Sequence, residues 1–105
     1  MQIKFKQIAL PEALSLVKPF HYLGTVPSNC SWFYGAFDGG RLDCVACFGP
    51  CVAQKANKFN FLELRRLVAR PGSAVILSKF LAYSLRQLKK EKVLAVMSYA
   101  DPEFH

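Results

Sequence analysis

Residues 59–101 constrain the chain more than any other stretch. They begin with a short apolar-rich segment, 59–70, which is stopped by Arg70-Pro71-Gly72. That triplet is a turn signal, because proline fixes φ and glycine permits φ > 0. Leu77, Phe80, Leu81, Ser84, Leu85 and Leu88 then recur at the spacing of one helix face, with Lys79, Arg86 and Lys90 on the other side. Val93-Leu94-Ala95-Val96-Met97 follows as a continuous apolar run, the pattern of a strand covered on both faces. Strand, turn, amphipathic helix and strand within one such segment make a βαβ crossover, so the two strands should be parallel.

The rest of the chain supplies partners for this unit. Met1 to Ile8 alternates, with Ile3 and Phe5 on one face and Lys4 and Lys6 on the other, as in a half-buried strand at a sheet edge. Pro11-Glu12-Ala13 suits a first helical turn, and that helix should run to about Val17 and stop before Pro19. Ser31 to Phe37 and Arg41 to Phe48 read as two strands joined at Asp38-Gly39-Gly40. Gly49 to Lys58 is a polar, basic connection. The order is β-α-β-β-β-α-β in a single α/β domain, 1–105, that ends just after a buried strand. That strand should leave an open edge, to be covered by a missing C-terminal part, by a second copy as a homodimer, or by another chain.

Charge adds a partner class. Net charge is +7, and ten of the 14 Lys and Arg lie between Lys55 and Lys92 against only Glu63 and Glu91. A basic segment of this size suits nucleic acid or another polyanion, and is otherwise a solvated surface. No run approaches the roughly 20 apolar residues that span a bilayer, and the N-terminus has no signal pattern. A cytoplasmic location with reduced thiols is the expectation.

Several residues could carry chemistry. The loop from Arg70 to Ile76 lies at a strand's carboxyl end and a helix's N-terminus, where free N–H groups and the positive helix end favour anions. Asp101 in Ser98-Tyr99-Ala100-Asp101-Pro102 reaches the same rim, or simply starts a turn. His21 and Tyr22 form a pair able to move protons, although a lone histidine is more often structural. Arg65 and Arg66 are adjacent in a strand and should face opposite sides, at least one entering a cleft or pairing with Glu63 or Asp101. Glu63 is a base or an ion-pair partner. Cys44 and Cys47 should also face opposite sides, which favours buried thiols over a zinc site. Trp32, Phe33, Tyr34 and Phe37 are core residues more readily than an aromatic platform. No GxSxG, HExxH, Walker or GxGxxG motif is present.

A set of segments in fixed order carries a resemblance. They are His21-Tyr22-x-Gly24, Phe33-Tyr34-Gly35-Ala36-Phe37, Asp38-Gly39-Gly40-Arg41-Leu42, Val45-Ala46-Cys47-Phe48-Gly49, Leu62-Glu63-Leu64-Arg65-Arg66-Leu67-Val68 and Ser98-Tyr99-Ala100-Asp101-Pro102. Together they resemble the Mom proteins, DNA-modification proteins of phage Mu and its relatives. The resemblance implies a fold like the GCN5-related N-acetyltransferases (GNAT) and an acyl-CoA cofactor, acetyl-CoA, held by Leu67, Val68, Arg70, Gly72, Ser73, Ala74 and Ser78. It implies modification of the exocyclic amine of adenine in double-stranded DNA with an acetamide-type group, which blocks host restriction. His21, Tyr22 and Asp101 would then line the adenine pocket as the catalytic set, and Arg65, Arg66, Lys79, Arg86 and Lys90 would hold DNA phosphates. Plain acetylation would give acetyladenine rather than an acetamido group, so the family chemistry leaves room for a redox or metal step, with iron as the candidate metal and His21, Tyr22 and Asp101 as the candidate participants. In place of the Arg/Gln-x-x-Gly-x-Gly/Ala loop common in acetyltransferases, this chain has Arg70-Pro71-Gly72-Ser73-Ala74. Two rival functions share these features: an acetyltransferase acting on a protein or small amine, and a non-catalytic DNA-binding remnant.

Overall fold

A computed structural model of the protein describes residues 2–21, 24–26, 30–50, 61–91, 93 and 95–97. The elements are β1 (Ile3–Gln7), α1 (Leu10–Phe20), β2 (Trp32–Asp38), β3 (Arg41–Pro50), β4 (Phe61–Ala69), α2 (Leu77–Lys90) and β5 (Ala95–Met97). This is the expected β-α-β-β-β-α-β order. The strands lie side by side in sequence order. Neighbours from β1 to β4 are antiparallel, and β4 and β5 are parallel, as a crossover through α2 requires.

The central strands are apolar on both faces, and their period-two alternation splits the core in two. Val45 and Cys47 face α1, together with Phe33, Val68 and the helix residues Ala13, Leu16 and Val17. Cys44, Ala46 and Phe48 face α2, together with Tyr34, Ala36, Phe80 and Leu88. Cys44 and Cys47 thus lie in opposite cores, as expected of thiols three apart in a strand. The aromatic residues of β2 divide in the same way: Phe33 and Phe37 pack on the α1 side, Tyr34 and Trp32 on the α2 side. Gly35 of β2 lies against the side chains of Leu42 and Ile8. A Cβ there would meet Leu42 Cδ1 at 2.9 Å and Ile8 Cγ2 at 3.1 Å, so a side chain would have to push both aside.

Two helix expectations need correction. α1 passes through Pro19 to Phe20. Proline in the last turn removes a single N–H, and the His21 N–H still reaches Val17 O at 3.0 Å, which closes the helix beyond the proline. On α2 the buried residues are Phe80, Ser84 and Leu88, whereas Leu77 is 37% exposed and Leu85 43% exposed. The stripe is therefore narrower than six residues. Phe5 completes it from β1, stacking 5.5 Å from Phe80 and 5.4 Å from Tyr83.

Candidate functional site

β4 organises the site. Its N-terminal part pairs with β5 at Phe61, Leu62 and Glu63. Beyond Glu63, among the described residues, no strand pairs with β4 on that side. β4 runs on to Ala69, where the loop into α2 begins. The side chains of Leu67 and Val68 are taken up by the two cores, so a ligand lying along this edge would meet their backbone.

The loop is a tight turn. Ser73 N–H donates to Arg70 O at 3.1 Å, with Pro71 and Gly72 between them and Gly72 at φ +77°. Proline first and a positive φ second are the signature of a type II turn, and Gly72 supplies the conformation that a side chain would strain. Past it, Ser73 Oγ accepts from Val75 N–H at 3.1 Å. Lys79 and Phe80 N–H are used by Ile76 O. Among the described residues no acceptor is found for the N–H groups of Ala74, Ile76, Leu77 and Ser78. The N-cap, Ile76, offers no side-chain oxygen, and the first turn holds no acid. Open donors, the positive helix end and the nearby Lys79 leave a place for an anion. If Arg70 is set on the first position of the acetyltransferase loop pattern, Ser73 and Val75 stand where small residues are usual. Here Val75 is buried in the α2-side core and its N–H is already bonded.

What holds this turn is a residue that the sequence reading passed over. Asp43, on β3, has no solvent exposure. Arg41 donates to it from Nε at 2.7 Å and from Nη2 at 3.2 Å. Ser73 Oγ donates to Oδ2 at 3.1 Å, and Arg70 Nε lies 3.4 Å from Oδ1. The Asp43 carbonyl accepts Arg70 N–H at 2.7 Å, and the guanidinium of Arg70 bonds Leu42 O at 3.0 Å. The hydrogen bonds from Arg41 hold the Asp43 carboxyl below its ordinary range, against the burial that would raise it. A signal existed in the sequence. A carboxylate in the otherwise apolar run Leu42 to Phe48 must find cations or donors.

A second polar group lies lower on β4. The pairing of β3 with β4 slips between Cys47 and Phe48: Cys47 opposes Arg66 and Phe48 opposes Leu64. Arg65 is the extra residue of a β-bulge, and a bulge turns two successive side chains to one side. This corrects the expectation that Arg65 and Arg66 face opposite sides. Both reach the α1 side, where Cys30 packs. Burial raises the Cys30 thiol, and Arg65, Arg66 and Glu63 are the charges it feels. Arg65 Nε lies 3.5 Å from Glu63 Oε1, the pairing anticipated from the sequence. Arg66 donates to Thr25 O at 2.8 Å and Arg65 O at 2.7 Å, which ties the α1–β2 connection to the bulge. His21 caps α1 next to it. Its pKa is lowered, by partial burial first and by the Arg66 charge second. The Arg70 guanidinium sits over the Phe20 ring at 5.3 Å, so the end of α1 touches both polar groups.

The sequence-derived residues are thus partly brought together. His21, Arg65, Arg66 and Arg70 share the α1 side along β4. Lys79 lies in the first turn of α2, but Arg86 and Lys90 lie toward its far end, with Lys90 about 16 Å from Lys79 at 1.5 Å per residue. Tyr22 and Asp101 lie outside the described residues. Among the described residues no group of three or more His, Cys, Asp or Glu is placed to hold a metal, which gives iron no support. No described helix is long and apolar enough to cross a membrane.

Solved structures similar to this chain include several acetyltransferases. A GNAT family acetyltransferase from Brucella melitensis in complex with acetyl-CoA matches with a TM-score of 0.72 at 14% identity, over 95% of this chain and 77% of that one. PaiA N-acetyltransferase from Thermoplasma acidophilum in complex with coenzyme A matches at 0.67 and 15%, over 97% and 81%. The aminoglycoside acetyltransferase AAC(6')-Iy matches at 0.69 and 12%, over 98% and 82%. At these identities the likeness is one of fold, and the fold is that of the GCN5-related N-acetyltransferases. No curated protein sequence matches the chain. The model of the Mom protein family does match, over residues 2–104, and the chain belongs to that family.

Proposed function

We propose that the chain modifies the exocyclic amine of adenine in DNA, with an acyl-CoA as cofactor, and so protects that DNA from restriction. The observation that carries the reading is the loop at the end of β4, where four N–H groups at the start of α2 have no acceptor among the described residues. Membership of the Mom family supports the DNA substrate. The acetyl-CoA and coenzyme A in the similar acetyltransferase structures support the cofactor.

The residues present fit such a cofactor. Ala74, Ile76, Leu77 and Ser78 offer backbone N–H to its phosphates, and Gly72 makes the turn that lines them up. Arg70 and Ser73 hold that turn to β3. The backbone of β4 at Leu67 and Val68 is the proposed partner of an extended amide-bearing arm. When bound, the cofactor supplies an acyl group activated as a thioester.

The acceptor side is a matter for the α1 end of the site. The adenine amine is a weak nucleophile, because its lone pair is shared with the ring, so a base must take its proton as it reacts. His21 suits that role: its lowered pKa keeps the imidazole neutral at pH 7. Tyr22 and Asp101 complete the proposed pocket. Adenine must leave the duplex stack to enter it. Arg65 and Arg66 are the proposed DNA phosphate contacts at the α1 end, and Lys79, Arg86 and Lys90 extend the basic surface along α2.

Two experiments test the reading. Acetyl-CoA at about 100 times its dissociation constant should stabilise the fold by roughly 2.7 kcal/mol. DNA from cells making the protein should contain a heavier adenine nucleoside. Unmodified adenine together with normal DNA affinity and no thermal shift would favour the DNA-binding remnant instead. A thermal shift with weak, salt-insensitive DNA binding would favour an ordinary acetyltransferase.

A further inference from the structure

We infer that Asp43 is the positioning residue of the cofactor loop: from β3 it clamps both ends of the turn between β4 and α2, and so keeps the open N–H groups of Ala74, Ile76, Leu77 and Ser78 aligned for a diphosphate. This rests on the acyl-CoA reading above. Asp43 touches no reacting atom. It acts through Arg70 and Ser73.

The geometry has two halves. The Asp43 carbonyl takes Arg70 N–H at 2.7 Å, which fixes the turn's first residue. Its carboxylate takes the Ser73 hydroxyl at 3.1 Å, which fixes the last. The hydroxyl then accepts Val75 N–H at 3.1 Å, so the hold passes one step further toward the helix. Arg41 supplies the charge that lets the carboxylate stay ionised without solvent, at 2.7 Å. Arg41 is itself 57% exposed, so the clamp has one wet side and one dry side. A loop whose donors must match a diphosphate gains from this: the donors are ordered before the ligand arrives rather than by it.

The clamp also accounts for the departure from the glycine-rich loop pattern. Ser73 has a hydroxyl that bonds backward to Asp43 and forward to Val75 N–H. A glycine there could do neither. The loop exchanges conformational freedom for a tether.

The test compares two ligands. Acetyl-CoA carries the diphosphate, and acetyl-pantetheine has the same thioester arm without it. Asp43→Asn should weaken acetyl-CoA by about tenfold, the equivalent of one charge-assisted hydrogen bond. It should leave acetyl-pantetheine unchanged. Ser73→Ala, which leaves the Asp43–Arg41 pair in place, should show the same selectivity at about threefold, and carries the test if Asp43→Asn does not fold. Amide exchange at Val75, measured without ligand, should speed up in both variants while Val45 and Ala46 stay protected. Equal losses for both ligands would overturn the inference, since a general loss of structure does not distinguish them. Unchanged acetyl-CoA affinity in variants of a chain that binds it would overturn the inference alone. A wild-type chain that binds no acetyl-CoA would overturn the acyl-CoA reading, and the inference with it.

Discussion

The two ends of the α1 side of β4 use arginine in different ways. At the upper end Arg70 meets both a carbonyl and a buried carboxylate, and its neighbours Arg41 and Ser73 converge on the same carboxylate. At the bulge, Arg66 bonds carbonyls, those of Thr25 and Arg65, and reaches into a chain connection rather than a strand. The first arrangement is anchored to the sheet. The second anchors a connection to the sheet. On the proposed function, the anchored end meets phosphates of constant shape, and the tethered end meets the base that must be drawn in from the duplex.

Breaking the anchor should therefore cost most. Asp43→Ala leaves Arg41 and Arg70 facing a site without an anion, and should destabilise the fold by about 3 kcal/mol in urea unfolding, the low end for a disrupted buried pair because both arginines keep some solvent. A loss as small as that of an exposed ion pair would mean that the clamp is decorative. The pH dependence has a definite sign. The folded pKa of Asp43 lies below its ordinary 3.8, so its contribution is complete above that value. It is lost as pH falls through the folded pKa. The variant should therefore lack one step of the acid unfolding that wild type shows.

Breaking the tether should cost less. Arg66→Ala removes the bond to Thr25 O and should destabilise by about 1–2 kcal/mol. Amide exchange should rise at Val26, which packs on the α1-side core, with little change at Val75. The reverse pattern would show that the two ends are one cooperative unit. Ser73→Ala should come next, at about 1 kcal/mol, because one neutral donor leaves the clamp and Val75 N–H loses its acceptor.

The difference between the ends also explains what could be read from the sequence. The βαβ crossover, the hairpin at Asp38-Gly39-Gly40 and the loop at Arg70-Pro71-Gly72 are local patterns, and each lies where its residues put it. The bulge is not local. Nothing in Leu64-Arg65-Arg66-Leu67 says that β3 will slip by one residue opposite them, and that slip decides which way Arg65 points. The packing of α2 is not local either, since Phe5 reaches Phe80 and Tyr83 from β1, far away in sequence. Asp43 stands between these cases. Its charge in an apolar strand announced a partner, but the partner residues Arg70 and Ser73 come from the far side of the βαβ unit's first strand.

The smallest effect separates the ends most cleanly, because it uses pH alone. His21 has a folded pKa below its ordinary 6.5. The unfolded chain therefore takes up a proton first as pH falls from neutrality, and the contribution of the neutral imidazole, complete above 6.5, declines from there until the folded form is protonated too. Asp43 is unaffected across that range, since its own titration lies lower still. Mild acid should thus loosen the α1 end while the turn from Arg70 to Ser73 keeps its hold. Amide exchange between pH 7 and about 5 should rise around His21 and Val26 and stay flat at Val75, with His21→Gln abolishing the rise. If His21 is also the base, acceptor modification should fall over the same interval while acetyl-CoA affinity does not. A parallel fall in both would mean that the imidazole senses the loop through Phe20 and Arg70, and that the two ends of β4 act as one.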